Sequence, residues 1–167
     1  MSQAAQAAFQ LAQINVGRIK APTDSPIVKE FMDNLDRINA LAEAQAGFVW
    51  RLVGDGDNDA TDIHAFDDPM MLLNMSVWES LDQLAAFVYR TAHRDFMRRR
   101  REWFHPVESY MALWWVPAGY RPTPAEGIAR LDLLTRMGPT PEAFSFREPF
   151  PAPDGAIVPE PVLDQCA

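Results

Sequence analysis

The sequence holds a single cysteine, Cys166, in 167 residues, so no disulfide can close within the chain. That economy suits a reducing compartment. Positive charge is also short: 15 lysines and arginines stand against 23 aspartates and glutamates, a net charge of −8. Nucleic acid is therefore not an expected partner, because phosphate binding needs a basic surface. No uninterrupted apolar run reaches the roughly 18 residues that suggest a membrane-spanning helix, so no membrane partner is expected. The opening residues, MSQAAQAAF, have neither a basic segment nor a long apolar one, so they do not read as a secretory signal. A cytoplasmic location is the expectation. Neither a glycine-rich phosphate loop nor a G-x-S-x-G elbow occurs. Asp55, Asp57 and Asp59 alternate as in a calcium loop, but Ala60 takes the place of the required glycine and Phe66 that of the closing glutamate. His64 and His105 have no second ligand at metal-binding spacing.

What is present is enough apolar residue, 48%, for one domain with a substantial core. The stretch from Asn74 to Phe104 organises it, reading as a strand, Met70 to Trp78, that runs straight into one long helix. Ser80 sits at the helix N-cap, and Leu81, Leu84, Ala85, Val88, Ala92 and Phe96 recur at helical spacing. His105-Pro106 stops that helix. Phe9 to Lys20 reads as a first strand, with Ala12, Ile14 and Val16 on one face and Leu11, Gln13 and Asn15 on the other. Asp24 or Ser25 is placed to cap a helix that runs to about Ala44 with Pro26 in its first turn. Phe48 to Val53 and Tyr110 to Val116 read as two more strands, and Thr123 with Glu126 forms a capping box for a further helix to Gly138. A proline-rich tail follows, its Phe144, Phe146 and Phe150 expected to lie on the domain and the residues beyond about Pro151 to be loose.

These elements predict an α+β fold: a ferredoxin-like, four-stranded antiparallel sheet with its two long helices on one face, plus a C-terminal helix and an extended tail. The division is an N-terminal arm over 1–8, the domain over 9–138 and the tail over 139–167. The other sheet face, with Ile14, Val16, Met75 and Val77, is too apolar for water, which predicts a second subunit over it and hence a homodimer.

Four polar residues, Gln13, Asn15, Asn74 and Ser76, alternate onto one face of two strands. Buried amides need partners, and a few polar groups in an apolar hollow are how small-molecule sites are built; satisfying one another is the plainer alternative. His93 falls at the border between the apolar helix face and a cationic one made by Arg90, Arg94 and Arg98 to Arg101. Its side chain titrates near neutrality, so it is a candidate acid, base or ligand. Tyr89 stands one turn before it. Of the five tryptophans, most are expected to pack in the core, with Trp50 and Trp78 as candidates to wall a planar ligand. Arg51 either meets an acidic substrate group or faces solvent. The run Arg98 to Arg101 reads as a solvated or salt-bridged helix end.

The order of elements, and the VWES-helix-AH pattern between Trp78 and His93, resemble the dimeric α+β barrel superfamily that includes antibiotic-biosynthesis monooxygenases. The blocks NLDRINALAEAQAGFVWRL, SVWESLDQLAAFVYRTAHRDFMRRRREWF, LWWVPAGYRPT and GPTPEAFSF are similar to those of an uncharacterised domain family in that superfamily. The resemblance implies a dimeric barrel and a monooxygenase-like enzyme acting on an aromatic or polyketide-like metabolite. It also matches His93 and Asn15 to the iron-binding histidine and the haem-facing asparagine of haem-degrading relatives, although the interval from Trp78 to His93 is about one turn shorter here. Two cofactor states follow, none or haem, with His93 as axial ligand and Arg90 and Arg94 near the propionates in the second. The expected site is thus His93 and Asn15 as catalytic groups, with Gln13, Trp50, Asn74, Ser76, Trp78, Tyr89 and Arg90 around the substrate. A non-redox cyclase or dehydratase and a non-catalytic binding protein are the other readings.

Overall fold

The structure, a computed structural model, describes residues 7–56, 58–107 and 110–163. Most of the N-terminal arm, Asp57 of the aspartate turn and Cys166 lie outside the described residues.

Strand β1 (Phe9–Ile19) is the centre of an antiparallel sheet. On one side it pairs with β3 (Met71–Trp78), which pairs in turn with β2 (Phe48–Arg51). On its other side two strands share the edge. Strand β5 (Met111–Pro117) lies along Phe9–Asn15, and the two-residue β4 (Phe104–His105) lies along Arg18–Ile19. The sheet therefore has the four antiparallel positions expected, one of them filled by two pieces of chain. Gly17 makes the second piece possible: a Cβ there would sit 2.4 Å from the Phe104 ring, so only a residue without one lets that ring cross the strand.

The helix expected to run unbroken from Ser80 to Phe104 is two helices, α2 (Leu81–Arg90) and α3 (His93–Trp103). Thr91 divides them. Its backbone is extended, its hydroxyl donates to Phe87 O (2.5 Å), and its Oγ1 accepts from His93 N (3.2 Å). One side chain thus closes α2 and opens α3, a local bond that competes with helix continuation. Helix α1 (Lys29–Glu43) also begins later than expected. Ser25 and Pro26 belong to the turn before it, and Val28, fully buried, is its N-cap without a side-chain bond. Burial of Val28 fixes the start where no polar cap does.

Helix α4 (Pro124–Met137) begins as its capping box requires, with Thr123 Oγ1 accepting from Glu126 N. It occupies the sheet face that was expected to await a partner subunit. Ile14, Met75, Val77 and Trp114 are 0% exposed beneath it and the chain from Val49 to Phe66, packed with Ile128, Leu131 and Leu134. Gly127 brings the helix close: a Cβ there would lie 2.9 Å from Ile14 Cδ1. The dimer was inferred from a bare apolar face, and the chain covers that face itself.

Helices α1, α2 and α3 lie on the opposite face. The tail does not leave the domain after Pro151, as expected, but stays docked to Val162. Phe144 bridges to Leu113, Trp115 Nε1 donates to Phe150 O (2.8 Å), and Val162 N donates to Phe146 O (2.7 Å). Phe144, Phe146 and Ala152 are buried against the core under α2. Among the described residues no helix is long and apolar enough to cross a membrane.

Candidate functional site

On the face covered by α1, α2 and α3 the sheet carries two apolar clusters. Leu11, Trp78, Leu113 and Trp115 pack under α2 at one end, and Ile19, Leu72 and Trp103 pack at the other. Between them the strands present Gln13, Asn15, Asn74 and Ser76. Register places Gln13 opposite Ser76 and Asn15 opposite Asn74, so the four form one polar belt. A hollow of about 200 Å³ lies over it. An apolar cavity of about 150 Å³ is enough to hold benzene.

The belt is largely self-satisfied. Gln13 Nε2 donates to Asn74 Oδ1 (3.0 Å) and Ser76 Oγ (2.9 Å), and Asn15 Nδ2 donates to Gln13 Oε1 (3.1 Å). Ser76 Oγ also accepts from Trp78 Nε1 (2.9 Å), which fixes the tryptophan ring against the belt. Two amide groups are left over. Asn15 Oδ1 and Asn74 Nδ2 have no partner among the described residues, and both side chains line the hollow, half-buried. One is an acceptor and the other a donor, the minimum for orienting a polar ligand.

His93, the first residue of α3, lines the same hollow. Its ring lies 4.7 Å from the Phe87 ring, which stacks in turn on Trp78 at 5.4 Å. Nδ1 faces Val88 O at 3.4 Å. A carbonyl only accepts, so Nδ1 carries the proton in the neutral ring and Nε2 keeps its lone pair. The ring retains some exposed surface, yet protein surrounds it closely. That desolvation pushes its pKa down to about 4, against a smaller upward pull from Val88 O. At neutral pH His93 is thus an uncharged acceptor.

Tyr89 and Trp78 also line the hollow, Tyr89 with its ring edge-on to Phe146 at 5.7 Å. Two expected participants are elsewhere, and a third, Arg51, lines the hollow with its guanidinium already engaged. Trp50 faces the α4 side opposite Val77, because a bulge between Phe48 and Trp50 shifts the alternation of β2; its ring lies 6.0 Å from the Arg121 guanidinium. Arg90 is exposed at the end of α2. Arg51, at the edge of the hollow, has its donors taken up by the protein and does not face solvent. It is buried, with Nε 2.7 Å from Glu43 Oε1 and both terminal nitrogens on Asn58, and so ties α1 to the aspartate turn.

One residue escaped the sequence reading. Within the arginine run, Arg98 and Arg101 are exposed, and Arg99 is paired with Glu30 and Glu102. Arg100 instead turns toward the hollow, its guanidinium 4.0 Å from the Tyr110 ring centre. The available signal was its phase: it lies seven residues after His93, two turns along one helix face.

A haem does not fit the hollow. Four pyrrole rings exceed a space little larger than one that holds benzene, and Phe87 lies against the imidazole that would bind iron. Among the described residues no group of three metal-ligating side chains occurs.

The solved structures similar to the chain include the following three. A protein of unknown function from Nitrosomonas europaea is 13% identical over 70% of this chain and 96% of its own, with a TM-score of 0.44. A conserved protein from Methanosarcina mazei Go1 is 13% identical over 67% and 95%, with a TM-score of 0.47. A second Nitrosomonas europaea protein, named only as a candidate antibiotic biosynthesis monooxygenase, is 12% identical over 71% and 97%, also at 0.47. Likeness at this level bears on no chemistry. No curated protein matches the chain. Residues 10–159, by contrast, match the family described as a domain of unknown function, DUF3291. The chain belongs to that family.

Proposed function

We propose that the hollow is the active site of a small-molecule enzyme whose substrate is a one- or two-ring aromatic metabolite. The observation that carries this reading is the pairing of unused polar groups in one apolar space. Asn15 Oδ1 and Asn74 Nδ2 are left over from a belt whose other amide groups are hydrogen-bonded, and they share the hollow with a neutral imidazole whose Nε2 lone pair is free. In this reading the amides hold the polar end of the ring, Trp78 and Tyr89 wall it, and His93 accepts a proton.

A base held near 4 takes a proton from carbon only if that carbon is strongly activated, or if the bound molecule's own negative charge stabilises the imidazolium. A methylene between an aromatic ring and a carbonyl meets the first condition. Its carbanion can react with dioxygen to give a ketone and water, CH2 plus O2 yielding C=O plus H2O, with all four electrons that reduce the dioxygen supplied by the substrate carbon. This is the monooxygenase-like branch. Proton transfer without oxygen, as in a cyclase or dehydratase, uses the same residues.

The experiment is a screen of one- and two-ring aromatics bearing an activated methylene, read by oxygen uptake and by product mass. His93→Gln is expected to lower turnover by about 10²-fold or more with ligand affinity nearly unchanged. A product that has exchanged two hydrogens for one oxygen selects the oxygenase branch, and an isomer or dehydrated product selects the other. Turnover untouched by His93→Gln would remove the histidine from the chemistry. Binding without turnover in the wild type would make the protein a carrier.

A further inference from the structure

Helix α3 turns one continuous stripe toward the hollow: His93, Phe96, Met97 and Arg100. The spacing from His93 to Arg100 is about 10 Å along the axis. The two ends of this stripe meet different parts of the sheet. His93 touches Phe87, which stacks on Trp78, so it belongs with the Ser76 end of the polar belt. Arg100 lies over Tyr110, whose carbonyl accepts from Val16 N, and the next residue, Met111, pairs with Asn15. Arg100 therefore belongs with the Asn15–Asn74 end.

Two other arginines that approach the site are neutralised. Arg99 has Glu30 and Glu102, and Arg51 has Glu43. Arg100 has no carboxylate partner among the described residues, although the protein carries a net charge of −8 and has anions to spare. A planar cation stacked on a tyrosine ring keeps its edge free for a bidentate acceptor. The unused Asn74 Nδ2 donates from the same end.

We propose that the hollow selects an aromatic carboxylate, with the carboxylate held by Arg100 and Asn74 Nδ2 and a neighbouring hydroxyl donating to Asn15 Oδ1. The far edge of the ring then points toward His93. This rests on the reading of the hollow as a small-molecule site and adds the charge and orientation of its occupant.

The test compares salicylate with its neutral isostere salicylamide by calorimetry, on wild-type protein and on Arg100→Met, which keeps the stem and removes the charge. Wild type is expected to bind salicylate about 10- to 100-fold more tightly than salicylamide. Arg100→Met should bring salicylate down to the salicylamide level and leave salicylamide within about twofold, and Arg100→Lys should restore part of the preference. Unfolding curves confirm that each variant is folded at the titration temperature. Salicylamide binding as well as salicylate in the wild type, or Arg100→Met weakening both alike, would overturn the carboxylate assignment while leaving the hollow a binding site. Absence of binding by either molecule would overturn both.

Discussion

The two faces of one sheet have opposite fates in this molecule. Strands β1 and β3 send Ile14, Val16, Met75 and Val77 one way, and α4 closes over them so tightly that Gly127 cannot carry a side chain without displacing Ile14 or Met75. The same strands send Gln13, Asn15, Asn74 and Ser76 the other way, and three helices arch over them without filling the space. The pleat guarantees the segregation, since neighbouring residues must point to opposite faces. The difference shows where stability and where chemistry are placed. Among the described residues the sealed face has no unpartnered buried polar atom to offer a ligand, and the open face gives up packing to keep two unused amide groups.

The comparison breaks most visibly if stability does not follow it. Trp114, fully buried beneath α4, is expected to cost about 3–5 kcal/mol when changed to alanine. Gln13→Met on the open face removes three hydrogen bonds but is expected to cost about 1 kcal/mol or less, because water in the hollow can take over the freed acceptors of Asn74 and Ser76 and the freed donor of Asn15. Urea unfolding measures both. Equal losses would mean that the polar belt is a structural element and not a surface held ready for a ligand.

A smaller effect sharpens the same contrast. The His93 pKa lies near 4 in the fold and near 6.5 in an unfolded chain, so the unfolded state binds more protons between those values. Stability is thus expected to fall as pH drops from about 6.5 to 4, by up to about 3 kcal/mol from this residue. His93→Gln should flatten that part of the profile. The carboxylates that Arg99 and Arg18 hold low, Glu30, Glu102 and Asp68, lose their stabilising charge only at lower pH, and they remain in the variant as an internal reference. An unchanged slope in His93→Gln would mean that the ring is well hydrated in the folded protein.

Much of this was legible in the residues. Strict alternation in FQLAQINVGRI marked β1 and separated the amides from the aliphatics, and Thr123 with Glu126 marked the start of α4. The misses have physical causes. The apolar stripe runs through Val88, Ala92 and Phe96 without interruption, so periodicity hides the break that Thr91 makes with two hydrogen bonds of its own. The bulge in β2 inverts the side on which Trp50 falls, and nothing in FVWRLV announces it. Ile128, Leu131 and Leu134 showed that α4 has an apolar side but not which surface it would meet, and so the face it covers was assigned to a second subunit. Four adjacent arginines look alike until helix phase singles out Arg100.

The most direct test of the account is a side-chain amide and methyl NMR titration with salicylate. The account predicts saturable shifts of the Gln13, Asn15 and Asn74 NH2 groups and of the His93 ring, with the methyls of Ile14, Val77 and Leu131 unmoved. Shifts centred on those methyls, or no saturable shift at the polar belt, would contradict it.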